Sequence, residues 1–363
     1  MGADTARYPD EHDPDTYPMI SQNTLAQPVM FAQARALFPG FMLCGVIGLA
    51  ATFVSEHYGG PQFLYALLIG IAFHFLTENA KCLPGIEASA KKLVRVGVAL
   101  LGVRIAASDV SDLGVAGVAA LVGAVVLTIS FGVVFARVLK LPPMLGLLSG
   151  GGTGICGISA TLAISSTLPQ TNENERYTLL TAIGIAAFST LAMVLYPLIV
   201  THLGLDVQEA GLFLGGSIHD VSQVVGAGYI ISPAVGDAAT LAKMFRVAML
   251  MPVVMILALG FHSRRKETAG ASSAKVPLVP VFLLVFAALV VINSLGWIPH
   301  AVVTGCSEIS RWCLVVSIAA LGVKTSFQKL AELGWKPIIL LSGEAAFVAV
   351  YMLAVVYLLR TFG

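Results

Sequence analysis

The chain alternates between long apolar stretches and short polar connections from Leu37 to its last residues. A helix needs about 20 predominantly apolar residues to cross a bilayer, and helices satisfy every backbone group there. The pattern therefore predicts about eleven transmembrane helices. The predicted spans are Leu37–Ser55, Pro61–Leu76, Lys92–Ile105, Leu113–Leu139, Pro143–Leu168, Tyr177–His202, Gly211–Ile231, Ala239–His262, Val276–Leu295, Ala301–Val323 and Lys336–Leu359.

Composition supports an all-α polytopic membrane protein. Hydrophobic residues make up 57% of the chain and charged residues 11%, which is far from the balance of a soluble domain. The net charge is only +1, and the basic residues are scattered between apolar runs, so a nucleic-acid partner is not expected. The lipid bilayer is the expected environment, no cofactor is implied, and a homodimer is left open.

Residues 1–36 are polar, acidic and proline-containing, and they lack the apolar core of a secretory signal peptide. We interpret them as a disordered cytoplasmic tail before one transporter domain, 37–363. Basic residues concentrate roughly three to one in one set of alternate loops, which predicts a cytoplasmic N-terminus and a periplasmic C-terminus in a bacterial inner membrane. The basic residues of the sparse set are Arg104, Arg176, Lys243 and Arg360.

One internal similarity connects distant parts of the chain. The segment "ALLGVRIAASDVSDLG" (99–114) aligns without a gap on "AALGVKTSFQKLAELG" (319–334). The two segments lie seven predicted spans apart, an odd number, so they are expected to cross the membrane in opposite senses. Inverted-topology repeats with discontinuous helices are typical of secondary transporters.

The stretch "SGGGTGICGISA" (149–160) contains G-x-G-x-x-G, but it lies inside an apolar span rather than between a strand and a helix, which excludes a dinucleotide site. Gly150–Gly152 favour unwinding, and a helix restarting over Thr153–Ser159 would direct free amides towards an anion. The alternative is close helix packing through Gly150-x-x-x-Gly154, which we consider weaker. The predicted substrate-binding residues are Gly151, Gly152, Thr153, Gly154, Ile155, Cys156, Gly157, Ser159 and Arg246.

The stretch "GLFLGGSIHDVSQVVGAG" (211–228) places two titratable residues near the centre of an apolar span, where such groups are costly and usually functional. On a continuous helix, one face would carry Gly215, His219, Ser222, Gln223 and Gly226. The predicted coupling-ion residues are His219, Asp220 and Gln223. Proton coupling through His219 and Asp220 is favoured, because imidazole changes charge near pH 6.5. The alternative coupling ion is sodium, bound by Asp220, Gln223 and backbone carbonyls. A purely structural alternative is that His219 and Asp220 only form hydrogen bonds to neighbouring helices.

In "LAKMFRVAMLMP" (241–252), Lys243 and Arg246 share one helical face. Lys243 is expected near the outer end of its span, with its ammonium reaching water. Arg246 lies deeper and is expected to pair with either a bound anion or Asp220. Ion pairing is also expected for the remaining charged residues within or near spans, which are Arg95, Glu308, Arg311 and Glu344.

Four motifs in order, "GGGTGICGISA", "GGSIHDVSQVVGAG", "LAKMFRVAMLMPVV" and "AALGVKTS", resemble the YeiH-type sulfate exporter family of bacterial inner membranes. The resemblance implies two inverted five-helix repeats with crossing discontinuous helices, similar to bile-acid transporters and sodium/proton antiporters. It also implies export of sulfate or a related sulfur oxyanion. Ile158 and Thr161 stand where the family pattern has smaller residues.

Other functional classes fit less well. The metalloprotease motif H-E-x-x-H is absent from the sequence, and "AVGDAA" around Asp237 lacks the first glycine of an intramembrane aspartyl protease, so no enzyme is predicted. The five cysteines form no close metal-ligand set. The sequence predicts an ion-coupled secondary transporter that exports a small anion such as sulfate, sulfite, a sulfonate or a carboxylate. An anion channel and a sodium-coupled organic-anion symporter are the alternatives.

Overall fold

The computed structural model describes residues 29–169, 171–267, 280–325 and 334–362, and the regular elements in these ranges are all helical. This confirms the all-α membrane class. The first helix begins at Val29, so the predicted boundary of the tail at residue 36 falls inside it, and residues 1–28 lie outside the described residues.

The helices are α1 Val29–Tyr58, α2 Gln62–Ala72, α3 Leu83–Ala88, α4 Val94–Leu101, α5 Ala107–Asp112, α6 Gly114–Val138, α7 Pro143–Gly154, α8 Ile158–Ser165, α9 Asn172–Leu203, α10 Val207–Ser217, α11 Val221–Ile231, α12 Pro233–Ala248, α13 Leu250–Glu267, α14 Val281–Ser294, α15 His300–Lys324 and α16 Trp335–Phe362. A 3-10 helix, His74–Glu78, follows α2, and a π-helical turn, Ser89–Leu93, joins α3 to α4.

Six segments within the described residues are long and apolar enough to cross a membrane, fewer than the eleven predicted. These segments are Arg35–Tyr58, Gly114–Val138, Asn172–Leu203, Pro233–Phe261, His300–Lys324 and Trp335–Thr361. Shorter apolar helices, among them α2, α11 and α14, lie between them. The difference has a structural cause in two of the predicted spans, the fifth and the seventh.

The helices form two groups that pack mainly among themselves. In the scaffold bundle, α15 packs on α1, α2 and α4, and α14 packs on α4. The hairpin bundle contains α6 to α12 and α16, and its α11 contacts α2 and α15 of the scaffold. The interface between the bundles therefore runs along α11 and α15.

The similar segments 99–114 and 319–334 begin near the C-terminal ends of α4 and α15, and these two helices are antiparallel. The Ser310 hydroxyl donates to the Gly97 carbonyl (2.7 Å) and the Ser317 hydroxyl to the Ser89 carbonyl (3.0 Å), so residue numbers rise along α15 as they fall along α4 and the turn before it. An inverted repeat requires its two copies to cross the membrane in opposite senses, and the antiparallel α4 and α15 meet this requirement. Residues 326–333 of the second segment lie outside the described residues, and the inverted repeat stays a prediction.

The fifth predicted span, Pro143–Leu168, folds back on itself. Gly151 of α7 faces the Ile164 side chain of α8, although thirteen residues separate them. At the other end of the pair, Thr178 of α9 donates a hydrogen bond to Ser165 (2.8 Å), while Tyr177 packs near the start of α7. The start of α7 and the end of α8 therefore lie beside the same end of α9. We name this pair the first hairpin, and Ile155–Gly157 is its tip.

The expectation that Gly150–Gly152 unwind is wrong, because α7 remains helical as far as Gly154. A Cβ atom on Gly150 would lie 2.8 Å from the Thr128 carbonyl oxygen of α6, so this glycine serves close helix packing, the alternative that the sequence analysis ranked second. The chain turns three residues later at Gly157, whose φ of 73° disfavours any residue with a side chain.

The seventh predicted span, Gly211–Ile231, also folds back. Gly211 faces Ala238 and Gly215 faces Lys243, so α10 runs parallel to α12. Gly228 faces Gly236, so α11 runs antiparallel to the same helix. We name this pair the second hairpin, with its tip at Ile218–Asp220.

The backbone of the second tip is extended, with ψ of 140° at Ile218 and 146° at Asp220. The predicted continuous helix that placed His219 and Gln223 on one face is therefore wrong. The structure has two helical hairpins where the family resemblance implied crossing discontinuous helices.

Candidate functional site

The tips of the two hairpins meet beside the middle of α9. A Cβ atom on Gly157 of the first tip would lie 3.4 Å from Asp220 Oδ2 of the second tip. Arg246 of α12 connects the tips, because its Nε donates to the Gly154 carbonyl (2.8 Å) and its Nη1 to the Gly216 carbonyl (2.7 Å). One side chain thus fixes both tips relative to each other.

Two buried cations bind the carbonyl ends of α7 and α10. Arg246 also donates to Thr153 (2.7 Å), Gly215 (3.1 Å) and Ile218 (3.1 Å), and Lys243 Nζ donates to the carbonyls of Ile218 (2.8 Å) and His219 (2.6 Å). A helix C-terminus carries partial negative charge and unpaired carbonyls, which these cations satisfy.

This arrangement corrects two expectations. Lys243 is fully buried and does not reach water, because α12 carries it to the second tip rather than to the outer end of a span. Arg246 is fully buried as well and donates its hydrogen bonds to backbone carbonyls rather than to Asp220. In this structure Arg246 is therefore a positioning residue for the two tips.

The amino ends of α8 and α11 differ from each other. The carboxylate of Asp220 caps α11, accepting hydrogen bonds from the Ser222 amide (2.9 Å) and the Ser222 hydroxyl. The cap residue of α8 is Gly157, which has no side chain and provides no capping hydrogen bond. Partial positive charge at a helix N-terminus favours an anion. Asp220 caps α11, whereas no side chain caps α8, although Asp220 Oδ2 lies beside Gly157.

The three predicted coupling-ion residues lie close together in different environments. His219 is 1% exposed, and neither ring nitrogen has a hydrogen-bond partner among the described residues. Asp220 is partly exposed, and its backbone amide donates to the Ser189 hydroxyl of α9 (3.0 Å). Gln223 is buried, and its Nε2 donates to the Thr190 hydroxyl (3.4 Å).

The other predicted substrate-binding residues divide between the tip and the body of the first hairpin. Gly151 and Gly152 lie within α7 and pack against side chains of α8 and α9. The Thr153 hydroxyl donates to Glu344 of α16 (3.2 Å). Ile155 and Cys156 form the buried tip, and Ser159 in the first turn of α8 is exposed. The structure thus brings Gly154, Gly157, Asp220 and Arg246 together and leaves the two helical glycines in a packing role.

Two cavities lie between the bundles, near opposite ends of α15. A cavity of about 260 Å³ is lined by Ile158 at the start of α8, by Thr190 of α9 and by Leu321, Lys324 and Thr325 of α15. A larger cavity of about 520 Å³ is lined by the end of α11, by Arg104, and by Ser307, Glu308 and Arg311 of α15. The smaller cavity reaches the uncapped end of α8.

The remaining charged residues follow the expected ion pairing only in part. Arg311 pairs with Glu308 (2.9 Å), as expected, whereas Arg95 is exposed and pairs with no described residue. Glu344 is fully buried and accepts hydrogen bonds from two hydroxyls instead of a cation. Sequence reasoning missed this contact because it depends on how α16 packs on α7.

A second group that sequence reasoning missed lies at the larger cavity. Arg104 Nη2 is 2.9 Å from Asp237 Oδ2, and the Tyr229 hydroxyl donates to Asp237 Oδ1 (2.6 Å). The only sequence signal was a basic residue and an acidic residue in loops on the same predicted side.

Comparison with known proteins identifies the family. The profile of the family described as Conserved hypothetical protein 698 matches residues 39–341. The chain is 48% identical to UPF0324 membrane protein CT0845 of Chlorobaculum tepidum, over 87% of this chain and 88% of that protein. It is 43% identical to UPF0324 membrane protein TauZ of Paracoccus pantotrophus, over 89% and 95% of the respective chains. The chain therefore belongs to the UPF0324 family of membrane proteins, which confirms the YeiH-type assignment indicated by its four motifs.

Proposed function

We propose that this protein is a secondary active transporter that exports a small anion across the bacterial inner membrane. The proposal is carried by the N-terminus of α8, which no side chain caps. Its cap residue is Gly157, and this end of the helix borders a cavity of about 260 Å³ between the two bundles. Backbone amides at a helix N-terminus form a ready anion site. The substrate class is sulfate, sulfite, or an organic sulfonate or carboxylate.

The anion binds at the first turn of α8, against the amides of Ile158 and Ser159. Gly157 permits this approach because it has no side chain and takes a positive φ. Thr190 also lines the cavity, and its hydroxyl, which donates to the Ala186 carbonyl (2.9 Å) in this structure, would turn to donate to the anion. Arg246 supports the site indirectly by holding the end of α7, from which the tip begins.

Coupling follows from the neighbouring carboxylate. An anion at α8 and a charged Asp220 on the adjoining tip repel each other, and a proton on Asp220 removes that repulsion. Anion binding and proton binding therefore favour each other, which couples them as symport. A dianion that carries one proton is still negative, so the membrane potential, negative inside, drives its export. Of the predicted pair, Asp220 is the better proton carrier, because a proton on the enclosed His219 would add a third positive charge beside Lys243 and Arg246.

Sodium coupling is the second candidate, and one observation favours it. Oxygen-bearing side chains form one hydrogen-bonded group with Asp220, and hard cations prefer oxygen ligands. These neighbours are Ser189, Thr190, Ser222 and Gln223. In this case the carboxylate binds sodium instead of a proton, and the protein is a sodium-coupled anion transporter.

The two hairpins change the expected orientation of one loop. Because the first hairpin returns to the side from which it started, Arg176 near the start of α9 joins Arg137 and Lys140 on one face. The bias of basic residues towards the cytoplasm becomes stronger. Two hairpins replace two crossings, so the N-terminus stays cytoplasmic and the C-terminus periplasmic. The proposal includes no catalytic role, cofactor or nucleic-acid partner, and it applies equally to a monomer and a homodimer.

Anion flux in proteoliposomes tests the proposal, first under a pure pH gradient and then under a pure sodium gradient. We expect sulfate, sulfite or a simple sulfonate to move with the pH gradient and Asp220→Asn to abolish that flux. Asp206→Asn is the matched control, because Asp206 caps the N-terminus of α10 on the exposed surface.

Three outcomes separate the alternatives. Flux that follows sodium alone, survives His219→Gln and is lost in Asp220→Asn supports the sodium mechanism. Conduction far above about a thousand ions per second would identify a channel, because millisecond motions limit a carrier. Flux of none of these anions under either gradient would refute the proposed function.

A further inference from the structure

Glu344 is a buried carboxyl group that the proposed anion site does not use. It lies on α16, where it is fully buried, and forms no ion pair with a basic residue in the described parts of the chain. Its Oε1 accepts a hydrogen bond from the Ser149 hydroxyl (2.6 Å), and its Oε2 accepts one from the Thr153 hydroxyl (3.2 Å). A buried carboxyl group without a counter-ion is costly in a membrane protein and usually has a function.

The surroundings of Glu344 provide hydroxyls rather than charges. Four helices pack on α16, namely α6, α7, α9 and α10. The titratable group that α9 brings nearby is Tyr177, which packs against the cluster of Ala136, Leu145 and Leu340, and Leu340 lies one turn from Glu344. The charged residues of α6 and α10 lie at their ends, where Arg137 is exposed and Glu209 pairs with Arg360 (3.2 Å).

The hydroxyl of Ser149 provides partners for both protonation states of Glu344. With the carboxylate charged, Ser149 donates to Oε1, as observed. With the carboxyl protonated, Glu344 donates to Ser149, and Ser149 donates onward to the Gly146 carbonyl, which already lies 3.4 Å from its oxygen. Neither state leaves a buried polar atom of this group without a partner, a requirement for a site that gains and loses a proton.

Glu344 is connected to the tips through Thr153. The hydroxyl of Thr153 donates to Glu344, and the carbonyl of the same residue accepts from Arg246 (2.7 Å). Thr153 lies in the last turn of α7, where the helix already carries partial negative charge. The charge on Glu344 therefore alters the electrostatic balance of the group that holds both tips together.

We propose that Glu344 is a second proton-binding site of this transporter, which binds and releases a proton during the cycle and so controls how firmly Arg246 holds the first tip. The proposal rests on the proposed function only in assuming that transport is ion-coupled. Gly132 of α6 makes room for the carboxyl group, because a Cβ atom there would collide with Oε1.

Infrared difference spectroscopy of the purified protein during a pH titration tests the site without requiring transport. We expect a band from a protonated, buried carboxyl group that disappears at high pH in the wild type and is missing from Glu344→Gln. Ser317→Ala, which removes a buried hydroxyl of the scaffold bundle, should retain the band unchanged. Ser149→Ala keeps the carboxyl group of Glu344 but removes the hydroxyl that bonds to it in both protonation states, so the pH at the midpoint of the titration should shift.

Flux measurements complete the test. Glu344→Gln should reduce pH-driven flux at least tenfold and flatten its pH profile, whereas a merely structural hydrogen-bond acceptor would leave both unchanged. If Glu344→Gln does not fold, the midpoint shift in Ser149→Ala decides the question. An unchanged infrared titration in both variants, or a band that responds to sodium and not to pH, would overturn the proposal. If the wild type transports no tested anion while the band titrates, the proposed function fails and the proton site stands.

Discussion

The two hairpin tips are alike where the first helix of each hairpin ends and differ where the second helix begins. The last carbonyls of α7 and α10 are both bound by the buried cations of α12. The next helix begins with Asp220 in the second hairpin and with Gly157 in the first. The second tip thus places a carboxylate at its helix N-terminus, whereas the helix N-terminus of the first tip has no capping side chain.

This difference separates a requirement of folding from one of function. Buried carbonyls must have donors in any stable membrane protein, so Lys243 and Arg246 need no substrate to explain them. An uncapped helix N-terminus that borders a cavity leaves room for a ligand. The contrast between the tips therefore supports α8, rather than the arginine, as the proposed anion site.

The topology of the hairpins gives the largest expected effect, because it decides the side of the membrane. In a background with the native cysteines replaced by alanine, Arg176→Cys should react from the same side as Arg137→Cys. Trp297→Cys should react from the opposite side, since it is exposed between α14 and α15. Eleven crossings would instead place Arg176 and Trp297 together, and that labelling pattern would show that the first hairpin crosses the membrane.

Arg246→Ala should cause the next largest effect, a loss of folded protein. It removes a donor from five backbone carbonyls, of which Ile218 keeps Lys243, and each buried acceptor left unpaired costs about 1–3 kcal/mol. We expect little monodisperse protein in size-exclusion chromatography and a strongly lowered melting temperature. Arg246→Lys should be intermediate, because it keeps the charge but loses the planar set of donors. The control Arg137→Ala is exposed, and equal losses in both variants would contradict the connecting role of Arg246.

The helical class and the family are predictable from sequence, whereas the path of the chain through the two candidate stretches is not. Pro143–Leu168 has the length and hydropathy of one span, and two short helices folded side by side have the same composition. Only contacts between distant residues, such as Thr178 with Ser165, distinguish folding back from crossing. The local pattern therefore predicted a break in this span, but five residues too early, and it did not predict the turn.

The errors in the candidate site follow from the same cause. Lys243 was placed near the outer surface because depth was counted along a continuous span, but the second hairpin brings its own tip to this lysine. His219 and Asp220 were correctly located in one unusual segment. Their different exposure depends on the extended backbone of the tip, which no periodic pattern indicates.

Gly157→Ala tests the open tip directly. The positive φ of Gly157 costs an alanine about 1–2 kcal/mol, and the new methyl group would lie 3.4 Å from Asp220 Oδ2, beside the first turn of α8 where the anion is proposed to bind. We expect anion flux to fall tenfold or more while the protein remains folded. Gly45→Ala is the control, because Gly45 is helical and a Cβ atom there meets open space.

This glycine is a sharper test than Gly154. A valine at Gly154 would press on α6, where the Val125 carbonyl lies 3.3 Å from the Cβ position, and so would disturb packing as well as binding. If Gly157→Ala transports at the wild-type rate, the first tip is a tight turn without a ligand. The contrast between the two tips would then have no functional meaning.

The smallest effect is expected at Thr190, whose hydroxyl serves the second tip and faces the cavity beside the first. Thr190→Val keeps the shape of the side chain but removes an acceptor for Gln223, at a hydrogen-bond length of 3.4 Å that indicates a weak interaction. The substitution also removes the hydroxyl as a donor to the anion. Losing one hydrogen bond, worth about 0.5–1.5 kcal/mol, corresponds to a two- to tenfold increase in the KM for the anion. Initial rates of flux at varied substrate concentration measure it, and Thr201→Val on the exposed end of α9 should leave the KM unchanged. Complete loss of sodium-driven flux in Thr190→Val would instead place this hydroxyl among the ligands of a cation at Asp220, making the second tip the ion site and the first tip the anion site.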